Sequence, residues 1–336
     1  DEERCACALK AGAQFIIALS HSGTDERERK SEDQQLAREV EGIDLILSGH
    51  THTTLTQPIV EGDTYIVSSG PFCENLGSIT LEWTEDGEKT LKDYHLTPID
   101  ETVAEDQTIA TMVEDWKNQV SSSYLSSYGL SYDQVLTTSD YDMPKPENKD
   151  RVDNALGNLV ADAYHWASTT LVEDAPDVET VAVVADGVLR APLYQGNITT
   201  SQAFDVLSMG VGEDGKSGYP LVSCYLTGKE LKAYMEWSAE CYNQWKEGDI
   251  NISFDPEYPD YLYDMFAGVD YEIDLSQPKG QRIRNVMFHG QPLQDDQELT
   301  LAVNNYRYSS ALKSENIISG TRDWESPNSI RDMLVA

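Results

Sequence analysis

Phe15-Ile16-Ile17-Ala18-Leu19-Ser20-His21-Ser22-Gly23 and Ile43-Asp44-Leu45-Ile46-Leu47-Ser48-Gly49-His50-Thr51-His52 decide the fold of this chain. Each begins as a short apolar run, and continuous runs of this length suit strands buried on both faces. Between them, Ser31 and Gln34 have capping-box spacing, Leu36, Ala37 and Val40 share one helical face, and Gly42 follows the last turn. The pattern predicts a βαβ unit with two parallel, neighbouring strands. Each strand then delivers histidine at its carboxyl end, the sheet edge at which open α/β folds bind ligands.

Neutral imidazole is the commonest nitrogen ligand of transition metals. Two histidines at i and i+2 can face one metal if the backbone turns there, and Gly49 would permit the turn. A single histidine in such a place is ordinarily only a strand-end residue. His21, His50 and His52 at two strand ends of one βαβ unit point instead to a metal site.

Ser20-His21-Ser22-Gly23 followed by Gly42-Ile43-Asp44-Leu45-Ile46-Leu47-Ser48-Gly49-His50-Thr51-His52 resembles the last two metal-ligand motifs of the calcineurin-like metallophosphoesterases. More narrowly it resembles the 5′-nucleotidase and 2′,3′-cyclic-nucleotide 2′-phosphodiesterase family. By that resemblance His21 and His50 bind one metal of a pair and His52 the other. The implied fold is an α/β metallophosphoesterase sandwich, with residues 1–100 as its C-terminal portion. A connector helix and loop over 101–150 then leads to an α+β 5′-nucleotidase C-terminal, substrate-binding domain over 151–336. In the family, the first half of the catalytic domain supplies an Asp-x-His, a bridging Asp and an Asn-His pair. None precedes Phe15, so that half is expected to be truncated, carried on a separate segment, or lost. No catalytic residue is assigned within this chain, which is expected to be a poor catalyst alone.

At 336 residues the chain can bury two cores, and no apolar run approaches the length of a membrane span. The net charge of −35 repels polyanions, which argues against a nucleic-acid polymer as partner. It suits an extracellular, cell-surface or periplasmic location, though it is also what any solvated acidic surface gives. Cys5, Cys7, Cys73, Cys224 and Cys241 have neither zinc-knuckle nor redox-pair spacing, and their odd, scattered set indicates no disulfide framework.

Beyond His52, residues 64–69, 77–83 and 91–98 read as strands, with a polar turn over 85–89. Residues 101–127 read as a helix with Ile109, Met112, Val113 and Trp116 on one face, and 140–150 as a Pro-containing loop. Leu156-Gly157-Asn158-Leu159-Val160-Ala161-Asp162-Ala163 has helical spacing, with Leu156, Leu159, Val160, Ala163 and Trp166 or Ala167 inward. Gly157 inside that helix implies a close approach. This stretch resembles the Leu-Gly-Asn-Leu signature that opens the family's C-terminal domain.

Ala185-Asp186-Gly187-Val188-Leu189-Arg190 resembles the family's Asn-x-Gly-Gly-Ile-Arg, with Arg190 and Gly187 kept and the Asn and second Gly replaced. A guanidinium fork suits phosphate, so Arg190 is a candidate substrate ligand; a surface ion pair is the plainer role. Arg151 lies one residue out of register with another family arginine. Leu301-Ala302-Val303-Asn304-Asn305-Tyr306-Arg307 resembles the cyclic-nucleotide phosphodiesterase branch, in which the Tyr stacks on the base. The resemblance implies Asn304, Asn305 and Tyr306 at the substrate, and Tyr219 is the candidate for the opposite side of the clamp. Ordinary packing is the plainer role for either tyrosine.

The implied chemistry is hydrolysis of nucleotide phosphate esters at two divalent metal ions such as Mn or Zn, clamping the phosphoryl oxygens about 3.5–4 Å apart. Asp25 or Asp44 could orient the histidines from behind. Domain closure would carry the substrate to the metals, by analogy. The competing reading is a nucleotide-binding module or a degenerate, non-catalytic relative.

Overall fold

The computed structural model describes residues 2–84, 89–145, 151–170, 179–212, 215, 217–255, 258–319 and 323–335. The chain divides into two compact units, Asp1–Met112 and Val113–Ala336. In the first, helix α1 (Glu2–Lys10) precedes strand β1 (Ile17–Leu19), helix α2 (Glu32–Glu39) and strands β2 (Leu45–Leu47), β3 (Ile59–Glu61) and β4 (Thr64–Val67). The sheet order is β1-β2-β4-β3, with β1, β2 and β4 parallel and β3 antiparallel to β4. The expected βαβ unit is therefore present, with Ala18 opposite Ile46.

Strands of this sheet alternate rather than bury both faces. Ala18, Ile46 and Ile66 pack with Cys5 of α1 and Leu36, Ala37 and Val40 on one side. Side chains of successive strand residues point oppositely, so Ile17, Leu19 and Leu47 emerge on the other face, Leu19 at 82% exposure. The capping box is also absent. Ser31 makes no side-chain cap bond, and the Gln34 amide is drawn instead to Glu61 Oε1 at 2.7 Å. Strands β5 (Asn75–Trp83) and β6 (Lys89–Pro98) then form a two-stranded antiparallel ribbon; of the turn predicted at 85–89, Lys89 already belongs to β6 and 85–88 lie outside the described residues.

Helix α3 (Gln107–Ser123) starts later than the predicted 101. Asp106 caps it, accepting from the N–H groups of Thr108 (2.8 Å) and Ile109 (3.1 Å). Asp100 closes the preceding turn on Thr102. The predicted apolar stripe exists, but Ile109, Met112, Val113 and Trp116 all stand exposed.

The second unit adds strand β7 (Val135–Ser139), helix α4 (Ala155–Thr170), strands β8 (Thr180–Ala185) and β9 (Gly196–Thr199) and helix α5 (Thr200–Val206). There follow strand β10 (Pro220–Thr227), helix α6 (Gly228–Ser238), and strands β11 (Asp264–Ala267), β12 (Asp270–Ile273), β13 (Ile283–Phe288), β14 (Gln291–Pro292) and β15 (Glu298–Asn304). A helical turn α7 (Asn305–Arg307), strand β16 (Asp323–Ser329) and helix α8 (Ile330–Val335) close the chain. Strand β7 falls in the stretch read from sequence as connector, yet it pairs with β9 and so belongs to this unit. The last residues of the predicted 140–150 loop, 146–150, lie outside the described residues.

The central sheet runs β11-β8-β15-β10-β16. Its alternating side chains feed two cores. Ala182 and Val184 of β8 pack under Leu156, Val160 and Tyr164 of α4; Val181 and Val183 face Leu231, Tyr234 and Met235 of α6. Leu159 and Trp166 of α4 point outward, contrary to the predicted face, because Ala161, Tyr164 and Ser168 take the inner positions. Gly157 has the close approach expected of it: a Cβ there would meet Met265 Sδ at 2.4 Å. Thr199 and Gln202 form a full capping box on α5, as do Thr227 and Glu230 on α6.

Candidate functional site

In the first unit, β1 and β2 end side by side and bring His21 and His50 together, ring centroids 5.0 Å apart at 58°. Ser20 N–H donates to Leu47 O at 3.0 Å and ties the two strand ends. The backbone turn is not made where the sequence placed it. His50 (φ 75°) and His52 (φ 55°) are themselves left-handed, a conformation uncommon outside glycine and often found at functional sites. Gly49 serves space instead: a Cβ there would sit 3.1 Å from His21 Nδ1. His52 lies edge-on to Phe72, centroids 5.2 Å apart. Among the described residues no group of three or more His, Cys, Asp or Glu side chains is arranged to hold a metal. His21 and His50 thus fit as two nitrogen donors, and the described residues do not complete a coordination set around them.

Neither carboxylate predicted to orient the histidines does so. Asp25 turns back onto Arg27, whose side-chain hydrogen bonds (Nε to Oδ1, 2.9 Å) push its pKa down to about 2. Asp44 accepts from Ile16 N–H at 2.5 Å and pairs with Lys89. The residue that braces the His21 loop is Asp33, fully buried on α2. It accepts from the Ser20 hydroxyl and from Gly23 N–H at 3.2 Å. No spacing in the sequence ties Asp33 to that loop; its place on the first turn of a helix behind the strand end is the one available signal.

In the second unit, β8 and β15 are parallel, while β10 and β11 run antiparallel to them. The carboxyl ends of β8 and β15 and the amino ends of β10 and β11 therefore share one edge. That edge receives Arg190 from β8, Asn304, Asn305 and Tyr306 from β15, Tyr219 just before β10, and Asp264 at the start of β11. Tyr219 and Tyr306 stack, centroids 5.7 Å apart at 30°. Partial burial raises the Tyr219 phenol pKa, Tyr306 adds to the rise, and the positive charge of Arg190 opposes it.

A base held between two rings needs two van der Waals gaps, roughly 7 Å. The two rings instead lie on each other, with no base-wide gap between them. Gly210 (φ +89°) seats Tyr219, since a Cβ would meet its ring at 2.4 Å. Tyr306 is 49% exposed. Asn304 is wholly buried, its Oδ1 accepting Arg307 N–H at 2.8 Å. Asn304 Nδ2 and Asn305 Oδ1 are buried with no hydrogen-bond partner among the described residues. Arg190 is part-buried and its nearest donor contact is long, Nη1 to Gly187 O at 3.5 Å.

Other residues have structural work. Arg151 is buried, donating to Tyr258 O at 3.1 Å over the Phe254 ring. Arg282, not singled out in the sequence, donates to the carbonyls of Ala239 and Tyr242, both at 2.8 Å. Every cysteine is a free thiol. No helix among the described residues is long and apolar enough to cross a membrane.

The 5′-nucleotidase, C-terminal domain family matches residues 134–313. The trifunctional nucleotide phosphoesterase protein YfkN of Bacillus subtilis is 25% identical over 87% of this chain and 18% of its own length. The 2′,3′-cyclic-nucleotide 2′-phosphodiesterase/3′-nucleotidase of Yersinia enterocolitica is 24% identical over 97% of this chain and 55% of its own. These relatives are named as hydrolases of phosphoric esters, and the chain spans about half of the second and less of the first. In structure, a 5′-nucleotidase precursor from Thermus thermophilus superposes with a TM-score of 0.70 at 21% identity, covering 99% of this chain and 62% of that one. By fold and by the family match across its second unit, the chain belongs to the 5′-nucleotidase C-terminal domain family.

Proposed function

We propose that this chain works in the metal-dependent hydrolysis of nucleotide phosphate esters, as part of a 5′-nucleotidase or a 2′,3′-cyclic-nucleotide phosphodiesterase/3′-nucleotidase. The observation that carries the reading is the gathering of Arg190, Tyr219 and Tyr306 on one sheet edge of the second unit. An aromatic face and a guanidinium are what a nucleotide presents itself to: the ring stacks on a base, and the fork takes phosphate oxygens. The unmet Nδ2 of Asn304 and Oδ1 of Asn305 support the same edge as a binding site, because buried polar atoms are ordinarily paired.

The first unit belongs to the same proposal as the C-terminal portion of a metallophosphoesterase α/β sandwich, joined to the second through α3. The exposed apolar face of Ile17, Leu19 and Leu47 is consistent with a sheet that packs against further structure. Two divalent cations, when bound, would supply Lewis acidity to a phosphoryl group and a deprotonated water. His21 and His50 would hold one of them; His52 is the proposed ligand of the other. Asp33 holds the Ser20–Gly23 loop and hence the His21 ring. A location outside the cytoplasm, at the surface or in the periplasm, is part of the reading and is supported by the acidic balance of the chain.

A second reading, nucleotide binding without hydrolysis, is supported by the substrate-facing edge lying within the second unit alone. Incubating the chain with AMP, 2′,3′-cyclic AMP, 3′-AMP and UDP-glucose, each with manganese and with zinc, separates the two. Metal-dependent hydrolysis of any of the four, followed by the appearance of its nucleoside, nucleotide or phosphate product, supports the hydrolase. Saturable nucleotide binding with no turnover supports the binding module. Failure to bind any of the four overturns both.

A further inference from the structure

We infer that Asp264 and Arg307 are positioning residues for nucleotide binding: their buried pair fixes both the turn that presents Tyr306 and the arm that presents Arg190. The inference rests on the nucleotide reading above and goes beyond it by naming what sets the site's geometry.

Arg307 directly follows Tyr306, yet the two side chains go opposite ways. Tyr306 faces solvent, whereas the Arg307 guanidinium sits inside the unit, 3.1 Å from Asp264 Oδ1, with side-chain exposures of 3% and 0%. It also donates to Leu262 O at 3.3 Å and lies 5.4 Å from the centre of the Trp237 ring. On the other side of Tyr306, the wholly buried Asn304 accepts Arg307 N–H. The exposed ring is thus held from both flanks by groups that do not reach the surface.

The carboxylate end of the pair reaches the second arm. Asp264 opens β11 opposite Ala185, the last residue of β8. Asp186 N–H then donates to Tyr263 O at 2.8 Å, at the root of the stretch that leads to Arg190. Leu262, Tyr263 and Asp264 are therefore one short segment to which both arms are tied. A salt bridge so deep gives little net stability over an apolar pair of similar volume, but removing one partner leaves an uncompensated buried charge. What the pair supplies is direction: one guanidinium nitrogen, Nη2, reaches both Asp264 Oδ1 and Leu262 O, and so ties the side chain that follows Tyr306 to the 262–264 segment. The groups that feel the carboxylate besides Arg307 are the buried phenols of Tyr234 on α6, of Tyr258 and of Tyr271 on β12, and the Cys241 thiol.

The test uses the whole chain, AMP as the probe, and the variants Tyr306→Ala, Asp264→Asn and Arg307→Lys. Calorimetric titration gives AMP affinity. ¹⁹F NMR of 3-fluorotyrosine at position 306 reports the ring's setting without any ligand. Expected are losses of about tenfold or more in AMP affinity for Tyr306→Ala and for Asp264→Asn, the size of a lost base stack, with a smaller loss for Arg307→Lys. The fluorine line in Asp264→Asn is expected to move toward its solvent-exposed position while circular dichroism is unchanged. Should Asp264→Asn not fold, Arg307→Lys, which keeps a cation in place, decides by the same two readouts. Wild-type fluorine shift together with wild-type affinity in these variants overturns the inference. So does a Tyr306→Ala variant that binds AMP as well as the parent. If the parent chain binds neither AMP nor any of the other three nucleotides, the nucleotide reading itself falls; the fluorine line then still tells whether the pair positions the ring.

Discussion

The imidazoles of His21 and His50 lie 5.0 Å apart at the tips of two parallel strands, and His50 reaches its place through a left-handed backbone. If that pair supplies two nitrogen donors, His21→Ala and His50→Ala each weaken zinc binding by roughly tenfold or more, and the double variant adds little, because one donor of a chelating pair is of small use alone. Competition against a chromophoric chelator measures it. His52→Ala distinguishes the ring's two possible roles. As a packing partner of Phe72 its loss leaves the affinity at the pair unchanged; as ligand of a second ion its loss lowers the stoichiometry. Equal zinc binding in the parent and the His21/His50 double variant would remove the metal reading.

Asp33 is the internal brace of the same loop. Its carboxylate takes one hydroxyl and one backbone N–H from the residues that frame His21. Hydrogen bonds to a charged group contribute about 1.5–3 kcal/mol each, so loss of the two in Asp33→Ala should cost about 3–6 kcal/mol in urea unfolding of the first unit. Asp33→Asn, which keeps one acceptor, should cost less. Zinc affinity should fall in step, and a stable variant with parental affinity would show that the brace is dispensable.

The βαβ unit, the β5–β6 ribbon and the helix opening at Ala155 were all legible from period and punctuation, since these are properties of neighbours in the chain. What sequence could not supply is partner choice across distance. Ser31 and Gln34 have capping spacing, but Glu61 offers the amide a charged acceptor and wins. Asp25 and Asp44 looked placed to serve histidines, yet Arg27 and Lys89 claim them. Asp33, Asp264 and Arg282 act through contacts that no motif announces. The strand-end edge of the first unit, in contrast, was readable: a βαβ unit puts His21 and His50 on one side, whereas the parallel pairing of β8 and β15 that brings the Arg190 and Tyr306 segments to one edge is another choice across distance.

Gly210 is a specific weak point of the tyrosine pair. It combines φ +89° with an empty Cβ position 2.4 Å from the Tyr219 ring. Gly210→Ala must either strain the backbone, at roughly 1 kcal/mol or more, or push Tyr219 off Tyr306. The second outcome should change AMP affinity several-fold with little effect on inorganic phosphate. Titrating both probes against parent and variant checks it, and equal losses for the two would mean that the turn, not the ring, had failed.

Glu230 sets an acid limit on the second unit whose sign can be worked out. Partial burial alone would raise its pKa, but the hydrogen bonds from Ser319 and Thr227 outweigh that and bring it from 4.5 down to about 2. The carboxylate accepts from Ser319 N–H at 2.8 Å, the Ser319 hydroxyl at 2.7 Å and Thr227 N–H at 2.8 Å. It thereby caps α6 and ties that helix to the segment before β16. A pKa lower in the folded state means that the unfolded chain takes up the proton first. The contribution is therefore complete above the ordinary value of 4.5 and is lost as pH falls toward 2. Glu230→Ala should cost about 1–2 kcal/mol at pH 7, the usual value of a capping interaction, and progressively less in more acid solution, as the parent loses what the variant already lacks. Asp264 runs the other way: burial lifts it to about 6 despite the Arg307 charge, so its contribution is full below 3.8 and declines as pH rises through 6. Urea midpoints of parent and Glu230→Ala at pH 7, 5 and 3 should converge on acidification. A gap that stays constant over that range would mean that Glu230 stabilises the unit by packing and not by charge.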